Sequence, residues 1–300
     1  HIAELKGKKL AVKIQYPGVA ESIKSDLSLV KPIAIKMFNI KGKDSDKYFQ
    51  EVEDKLVEET NYDLEISQSK EIAQSCIHIP NLLFPEYYDD YSSDRIITMD
   101  FMKGEHLSVF TKYNTDKKKS NQLGQALWDF YMFQIHTLKK VHADPHPGNF
   151  LVNEDTQLIA LDFGCMKSIP NNFYTPYFEL SNVNTINDPV SFKKKLYELE
   201  ILTPNDTKEE LAFFTNMFHE LLSVFTLPFH NEIFDFSNPE FFNKIGELSE
   251  SYSKNTELRK FNANRGSKHF IYINRTFFGL YSLMFDLKAS NVKINQFKNY

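Results

Sequence analysis

Residues 141–164, VHADPHPGNFLVNEDTQLIALDFG, decide how this chain is read. They contain His142-Ala143-Asp144, then Asn149 five positions after the aspartate, then Asp162-Phe163-Gly164. A phosphoryl-transfer site needs these groups in this order. One carboxylate positions a hydroxyl or takes its proton, and an amide oxygen and a second carboxylate hold magnesium against nucleotide phosphates. Leu151-Val152 and Leu158-Ile159-Ala160-Leu161 read as two short apolar strands joined by the polar turn Asn153-Glu154-Asp155-Thr156. Such a hairpin carries Asn149 on entry and Asp162 on exit, at one end. The plainer reading is a buried hairpin with acids in its flanking loops. Three polar features in register with the local structure favour the site.

His-Ala-Asp-Pro-His-Pro-Gly-Asn followed by Leu-Asp-Phe-Gly resembles the UbiB-like, or aarF-domain, family of atypical protein-kinase-like proteins. Small-molecule phosphotransferases share a similar H-x-D-x-x-x-x-N and D-F-G pair, so other stretches must separate the two. Leu10-Ala11-Val12-Lys13-Ile14 alternates around a lysine and reads as a strand. A lysine in an apolar strand needs an anion partner, and in V-A-I-K strands it meets nucleotide phosphates and a helix glutamate. Gln15-Tyr16-Pro17-Gly18 then turns the chain, and Ile23, Leu27 and Val30 form a helical stripe that Pro32 is expected to interrupt. This K-I-Q-Y-P-G-V stretch with Asp26 is similar to the UbiB-like pattern, and small-molecule phosphotransferases generally lack it.

Residues 46–75 read as one long helix, with Val52, Leu56, Glu59, Asp63 and Ile66 on one face. Periodicity alone leaves Glu58, Glu59, Asp63 and Glu65 open as partners of Lys13, and an ordinary charged helix face remains the alternative. The resemblance chooses. Residues 59–65, ETNYDLE, look like the family stretch E-x-D-Y-x-x-E, which makes Glu65 the partner of Lys13 and Glu59 the first acid of E-x-D. Asn61 stands where that motif has its aspartate, a departure that weakens any metal or lysine contact there. Residues 95–99 read as the next strand, after a loop through Pro80 and Pro85. In a kinase fold it ends at the linker whose backbone binds adenine, here Asp100 to Gly104, with Asp100 and Met102 as the nucleotide-binding positions.

Residues 113–121 look like a polar loop with a solvated lysine run, and 122–141 like a helix presenting Leu123, Leu127, Phe130, Leu138 and Val141. The last 110 residues look helical. Leu211, Phe214, Phe218, Leu221 and Phe225 form one stripe, and Phe270, Ile273, Phe277, Leu280, Met284 and Leu287 another. Core packing explains both. Phe278, Tyr281 and Phe285 widen the second face, which raises a membrane-surface reading that Asn274 and Arg275 oppose as a span. Residues 274–283, NRTFFGLYSL, also look like the family's C-terminal region.

A net charge of −5 supplies no basic field for nucleic acid. The two cysteines, Cys76 and Cys165, form neither a metal pattern nor a disulfide framework, which suits a reducing compartment. His219, His230 and His269 lack ligand spacing. No run of 18 apolar residues appears. The ten glycines contain no G-x-G-x-x-G, and no A-P-E follows the D-F-G, which argues against peptide substrates. The resemblance implies an alanine-rich loop just before His1 and a K-x-G-Q segment further upstream that covers the site. The chain is therefore expected to be a trimmed domain without that lid.

The fold expected is α+β and protein-kinase-like. An N-lobe sheet with helices spans residues 1–103 and a mainly helical C-lobe spans 104–300. The site expected is Asp144 with Lys13 and Glu65 as catalytic groups, Asn149 and Asp162 on magnesium, and ATP as the nucleotide. The resemblance implies an ATPase or kinase that supports isoprenoid quinone biosynthesis or a lipid-linked process, at a lipid or quinone-precursor surface on the cytoplasmic or organelle-matrix side. The alternatives are a nucleotide-binding pseudokinase scaffold for a membrane-associated enzyme complex, and a small-molecule phosphotransferase.

Overall fold

A computed structural model describes residues 1–38, 44–58, 60–255, 261, 265–267 and 269–294. The chain opens with a hairpin, β1 (Ile2–Leu5) and β2 (Lys8–Ile14). Lys6 and Gly7, both at positive φ, make its turn. Helices α1 (Val19–Phe38), α2 (Asp44–Glu58) and α3 (Tyr62–Cys76) follow. After β3 (Leu82–Leu83) comes β4 (Ile96–Asp100), which pairs antiparallel with β2 and completes a three-stranded sheet, with Lys13 opposite Ile97. The expected strands at Lys13 and at 95–99 are therefore neighbours.

Two expectations change here. Pro32 lies inside α1, which continues to Phe38. The single helix over 46–75 is two helices, because Asn61 takes up an extended conformation and its side-chain oxygen accepts the Leu64 N–H, capping α3. The new helix axis breaks the assumed face. Val52 and Leu56 are exposed, Asp63 is exposed, and Ile66 and Glu65 are buried. Glu59 lies outside the described residues.

Beyond the linker come β5 (Glu105–His106), α4 (Leu107–Tyr113) and α5 (Lys117–Phe133). The lysine run is not a loop but the first turn of α5, which starts there because the Asp116 carboxylate accepts the N–H groups of Lys118 and Lys119. Leu123, Leu127 and Phe130 are fully buried as the stripe requires. Leu138 and Val141 leave the helix. A π-helical turn covers Gln134–Leu138, and β6 (Lys140–His142) takes Val141. The hairpin read from sequence is present as β7 (Phe150–Val152) and β8 (Leu158–Ala160), with Phe150 opposite Ala160. Gly104 packs so close to β7 that an added Cβ would lie 2.8 Å from the Val152 carbonyl oxygen, so the linker needs glycine there.

β9 (Met166–Ser168) pairs with β6, and helices α6 (Asn171–Glu179), α7 (Val183–Asn187), α8 (Pro189–Glu198) and α9 (Lys208–Phe225) follow. Strand β10 (Ile233–Phe234), helices α10 (Pro239–Lys254) and α11 (His269–Asp286), and β11 (Val292–Lys293) complete the described chain. The core is aromatic. Trp128 meets Phe229 and Phe236 at 5.6 and 5.5 Å, and Phe236 meets Tyr281 at 5.5 Å. Each such ring contributes about 1.5–3 kcal/mol by burial. The α11 stripe at 270, 273, 277, 280, 284 and 287 is buried as core. Tyr281 is core as well, donating its hydroxyl to the Phe225 carbonyl, and Phe285 stacks on Phe242 at 4.7 Å. Of the aromatics that widened this face, Tyr281 and Phe285 are engaged by α9 and α10, whereas Phe278 is 46% exposed. Among the described residues, no helix is long and apolar enough to cross a membrane.

Candidate active site

Lys13 reaches the site from the C-terminal end of β2. Its Nζ donates to both carboxylate oxygens of Glu65, at 2.7 and 3.0 Å, and to Asp162 Oδ2 at 3.4 Å. The Tyr62 ring lies under the same ammonium, 5.1 Å from its centroid. Tyr62, Ile66, Tyr87 and Ile97 form a small apolar cluster behind these charges. A low-polarity backing strengthens the pair, and its desolvation is offset by two carboxylates and a ring. Burial pulls the Lys13 ammonium toward deprotonation. The charges of Asp162 and Glu65 and the Glu65 hydrogen bond outweigh it and raise its pKa above the ordinary lysine value. Burial likewise pushes the Asp162 carboxyl up, and Lys13, the Gly164 N–H and His142 outweigh it, holding Asp162 below the usual carboxylate range. Both groups are thus kept charged at neutral pH.

The hairpin places the other groups. Leu161 N–H donates to the Asn149 carbonyl at 3.0 Å, so Asn149 and Asp162 sit together at the open end of β7 and β8. Gly164 N–H donates to Asp162 Oδ1 at 2.9 Å, which fixes the carboxylate rotamer. Asn149 Nδ2 donates to the Asp144 carbonyl at 3.0 Å, leaving its Oδ1 as the atom for a ligand. Two oxygen donors, one an ionised carboxylate, fit magnesium, which takes one or two protein oxygens and completes its shell with phosphates and water. The Asp144 carboxylate is half open to solvent, and its Oδ1 accepts from Arg275 Nη2 of α11 at 2.6 Å.

The loop carrying Asp144 is held from below. Buried Gln134, in the π-turn, accepts the His142 N–H at 2.9 Å, and the Ala143 N–H donates to the Cys165 carbonyl. His142 is buried beside Phe163, with ring centroids 5.8 Å apart. Burial lowers its pKa against the pull of Asp162 and Asp144, so it is a neutral packing group. Tyr87 donates its hydroxyl to the Leu161 carbonyl at 3.0 Å, tying the loop before β4 to the residue preceding Asp162. Cys76 is buried, which pushes its thiol up to about 12.

Lys13, Glu65 and Asp162 are therefore brought into one cluster, with Asn149 and Asp144 linked to it through the hairpin end. The other expected residues stand apart. Asn61 spends its side chain on the α3 cap. Asp100 pairs with Lys8 at 2.6 Å and with the Tyr88 hydroxyl at 2.7 Å, and its N–H donates to the Glu86 carbonyl. Met102 follows in the linker and, among the described residues, makes no main-chain hydrogen bond. Sequence reasoning passed over Tyr62, Gln134 and the contact of Arg275. The only signal for Arg275 was the N-R-T-x-x-G stretch itself.

Residues 1–194 match the ABC1 atypical kinase-like domain. The chain belongs to the ABC1 atypical kinase-like family. That agrees with the UbiB-like, aarF-domain resemblance read from the H-A-D-P-H-P-G-N and D-F-G stretches. The ABC1 chain is 30% identical over 252 residues to Atypical kinase COQ8, mitochondrial, of Saccharomyces cerevisiae, covering 79% of this chain and 48% of that protein. It is 28% identical over 204 residues to Atypical kinase COQ8B, mitochondrial, of Danio rerio, covering 67% of this chain and 32% of that protein. The ABC1 chain thus spans about a third to a half of the length of these curated relatives. Its fold is shared with Rv3197 of Mycobacterium tuberculosis, a protein solved as a complex with erythromycin. The TM-score is 0.71 at 20% identity, over 99% of this chain and 72% of that one. The fold is α+β and protein-kinase-like, as expected.

Proposed function

We propose that this chain binds magnesium and ATP and acts as an atypical phosphotransferase or ATPase. The observation that carries the reading is the Lys13–Glu65–Asp162 cluster, a charged lysine held by two carboxylates at the end of the hairpin that bears Asn149. In this reading Lys13, oriented by Glu65, meets the nucleotide phosphates. Asp162 and Asn149 hold the metal, whose charge would offset that of the phosphates. The linker after Asp100 would meet adenine through backbone groups at Met102, since the Asp100 N–H is already given to Glu86. Asp144 orients the acceptor hydroxyl or water and takes its proton through the carboxylate. Positioning and charge neutralisation account for most of the rate in such chemistry, so a strong base is unnecessary. Residues 1–103 form the N-lobe and 104–300 the C-lobe.

Family membership supports an atypical kinase, and the UbiB-like resemblance extends the reading to isoprenoid quinone biosynthesis or another lipid-linked process. The names of the relatives place them in mitochondria, and an organelle location for this chain belongs to the same proposal. The test is phosphate release from ATP, with and without anionic liposomes and an amphipathic quinone precursor, with Asp144→Ala as control. Lipid-stimulated release that the control loses supports the reading. Tight magnesium-nucleotide binding without release under any condition replaces it with a nucleotide-binding scaffold.

A further inference from the structure

Helix α11 lies well beyond residues 1–194, the part that matches the family domain. It nevertheless touches β9 and the loop of Asp144 along one stripe. Tyr272, Arg275 and Gly279 are spaced three and four apart and fall on one face. The Lys167 ammonium, on β9, lies 4.1 Å from the centroid of the Tyr272 ring. Arg275 Nη2 donates to Asp144 Oδ1 at 2.6 Å. At Gly279 an added Cβ would lie 2.4 Å from Pro145 Cγ and 3.2 Å from the Pro145 carbonyl oxygen. A helix backbone comes this close to a loop only where the side chain is hydrogen. Tyr177 of α6 donates its hydroxyl to Asn274 Oδ1 at 2.7 Å and fixes the rotation of this turn.

The geometry points to Arg275 as a positioning residue for Asp144, so that α11 completes the reactive end of the site. This rests on the phosphotransferase or ATPase reading above. The arginine is not needed to hold the helix, whose Phe270, Ile273, Phe277, Leu280 and Met284 are buried in the core. Nor is the pair a source of stability. Its partners are 59% and 40% exposed, and such ion pairs contribute little. What it does is local. The Asp144 carbonyl accepts from Asn149 Nδ2 and from the His146 N–H, and among the described residues the carboxylate is held through Oδ1 alone. Oδ2 remains to receive the hydroxyl or water. One carboxylate oxygen is anchored by a cation carried on a held helix turn, and the other is presented to the acceptor.

The experiment compares wild-type protein with Arg275→Ala, Arg275→Lys, Gly279→Ala and the double variant Asp144→Asn with Arg275→Ala. Phosphate release, magnesium-ATP affinity and thermal midpoint are read for each. Arg275→Ala is expected to lower kcat roughly 10–100-fold, the scale of a misplaced catalytic group, while KM for ATP and the thermal midpoint stay put. Arg275→Lys, or added guanidinium on Arg275→Ala, recovers part of the rate. Gly279→Ala moves the helix off Pro145 and lowers kcat with Arg275 intact. In the double variant the arginine change adds nothing to the loss from Asp144→Asn. Wild-type turnover that Arg275→Ala leaves unchanged overturns this inference alone, as does a parallel loss of ATP affinity or a fully additive double variant. Wild-type protein without turnover under any condition removes the proposed function and this role with it.

Discussion

Glu65→Gln tests how far Lys13 depends on its partner. The change keeps the shape of a buried side chain and removes one negative charge from a lysine that lies 2.7 and 3.0 Å from its two oxygens. Removing one member of a fully buried ion pair costs about 3–5 kcal/mol. Lys13 is 36% exposed and keeps Asp162 at 3.4 Å, so solvent screening and the second carboxylate reduce this to about 1–2 kcal/mol. At roughly 2–4 °C per kcal/mol for a chain this size, the thermal midpoint falls by about 2–8 °C. Lys13 then turns to Asp162 alone and pre-empts the metal carboxylate, so magnesium-ATP affinity drops by about tenfold, or 1.4 kcal/mol. Differential scanning calorimetry and titration calorimetry on the same preparation read both effects. An unchanged midpoint together with unchanged nucleotide affinity would refute the claim that Glu65 orients Lys13.

The remaining expectations are local. Asn61→Ala removes the cap of α3 and lowers stability by about 1 kcal/mol in chemical denaturation, whereas Asn61→Asp, another good cap, leaves it intact. Burial, with the charge of Lys139 second, lowers the His136 pKa to about 3 from an ordinary 6.5. The unfolded chain therefore takes up a proton below pH 6.5 that the folded chain refuses, and stability falls with decreasing pH at about 1.4 kcal/mol per unit for this group. His142, shifted in the same direction, adds to the slope. Denaturant midpoints of His136→Gln between pH 7 and 5 should show a shallower decline than wild type, and an unchanged slope would contradict the assignment.

The candidate site was legible where its parts are close in sequence. Asp144, Asn149 and Asp162 lie within one hairpin and its approach, where strand period and turn residues are local signals. Lys13 was legible because a charge in an apolar strand requires an explanation. Glu65 was not singled out by periodicity, because the pattern was laid through a helix that Asn61 interrupts. A cap depends on the conformation of one residue, and Asn61 follows a run of acids whose spacing continues a helical repeat without a break. The π-turn at Gln134–Leu138 escaped for a similar reason, since Leu138 and Val141 extend the α5 stripe while the backbone has already left the helix. The Arg275–Asp144 contact joins residues 131 positions apart, and only the folded chain brings them together. The stripe of α11 was read correctly as core. Its aromatic margin was not assignable, because the helices that cover Tyr281 and Phe285 are placed by tertiary packing.

Magnesium-dependent ATP binding, measured by titration calorimetry on wild-type protein and on Asp162→Asn, addresses the central claim directly. The variant keeps the side-chain shape and its Gly164 contact while removing the charged oxygen assigned to the metal. Wild-type protein should bind ATP with magnesium and Asp162→Asn should lose that binding while remaining folded. Magnesium-ATP affinity unchanged in the variant would contradict the assignment of this cluster as the nucleotide site.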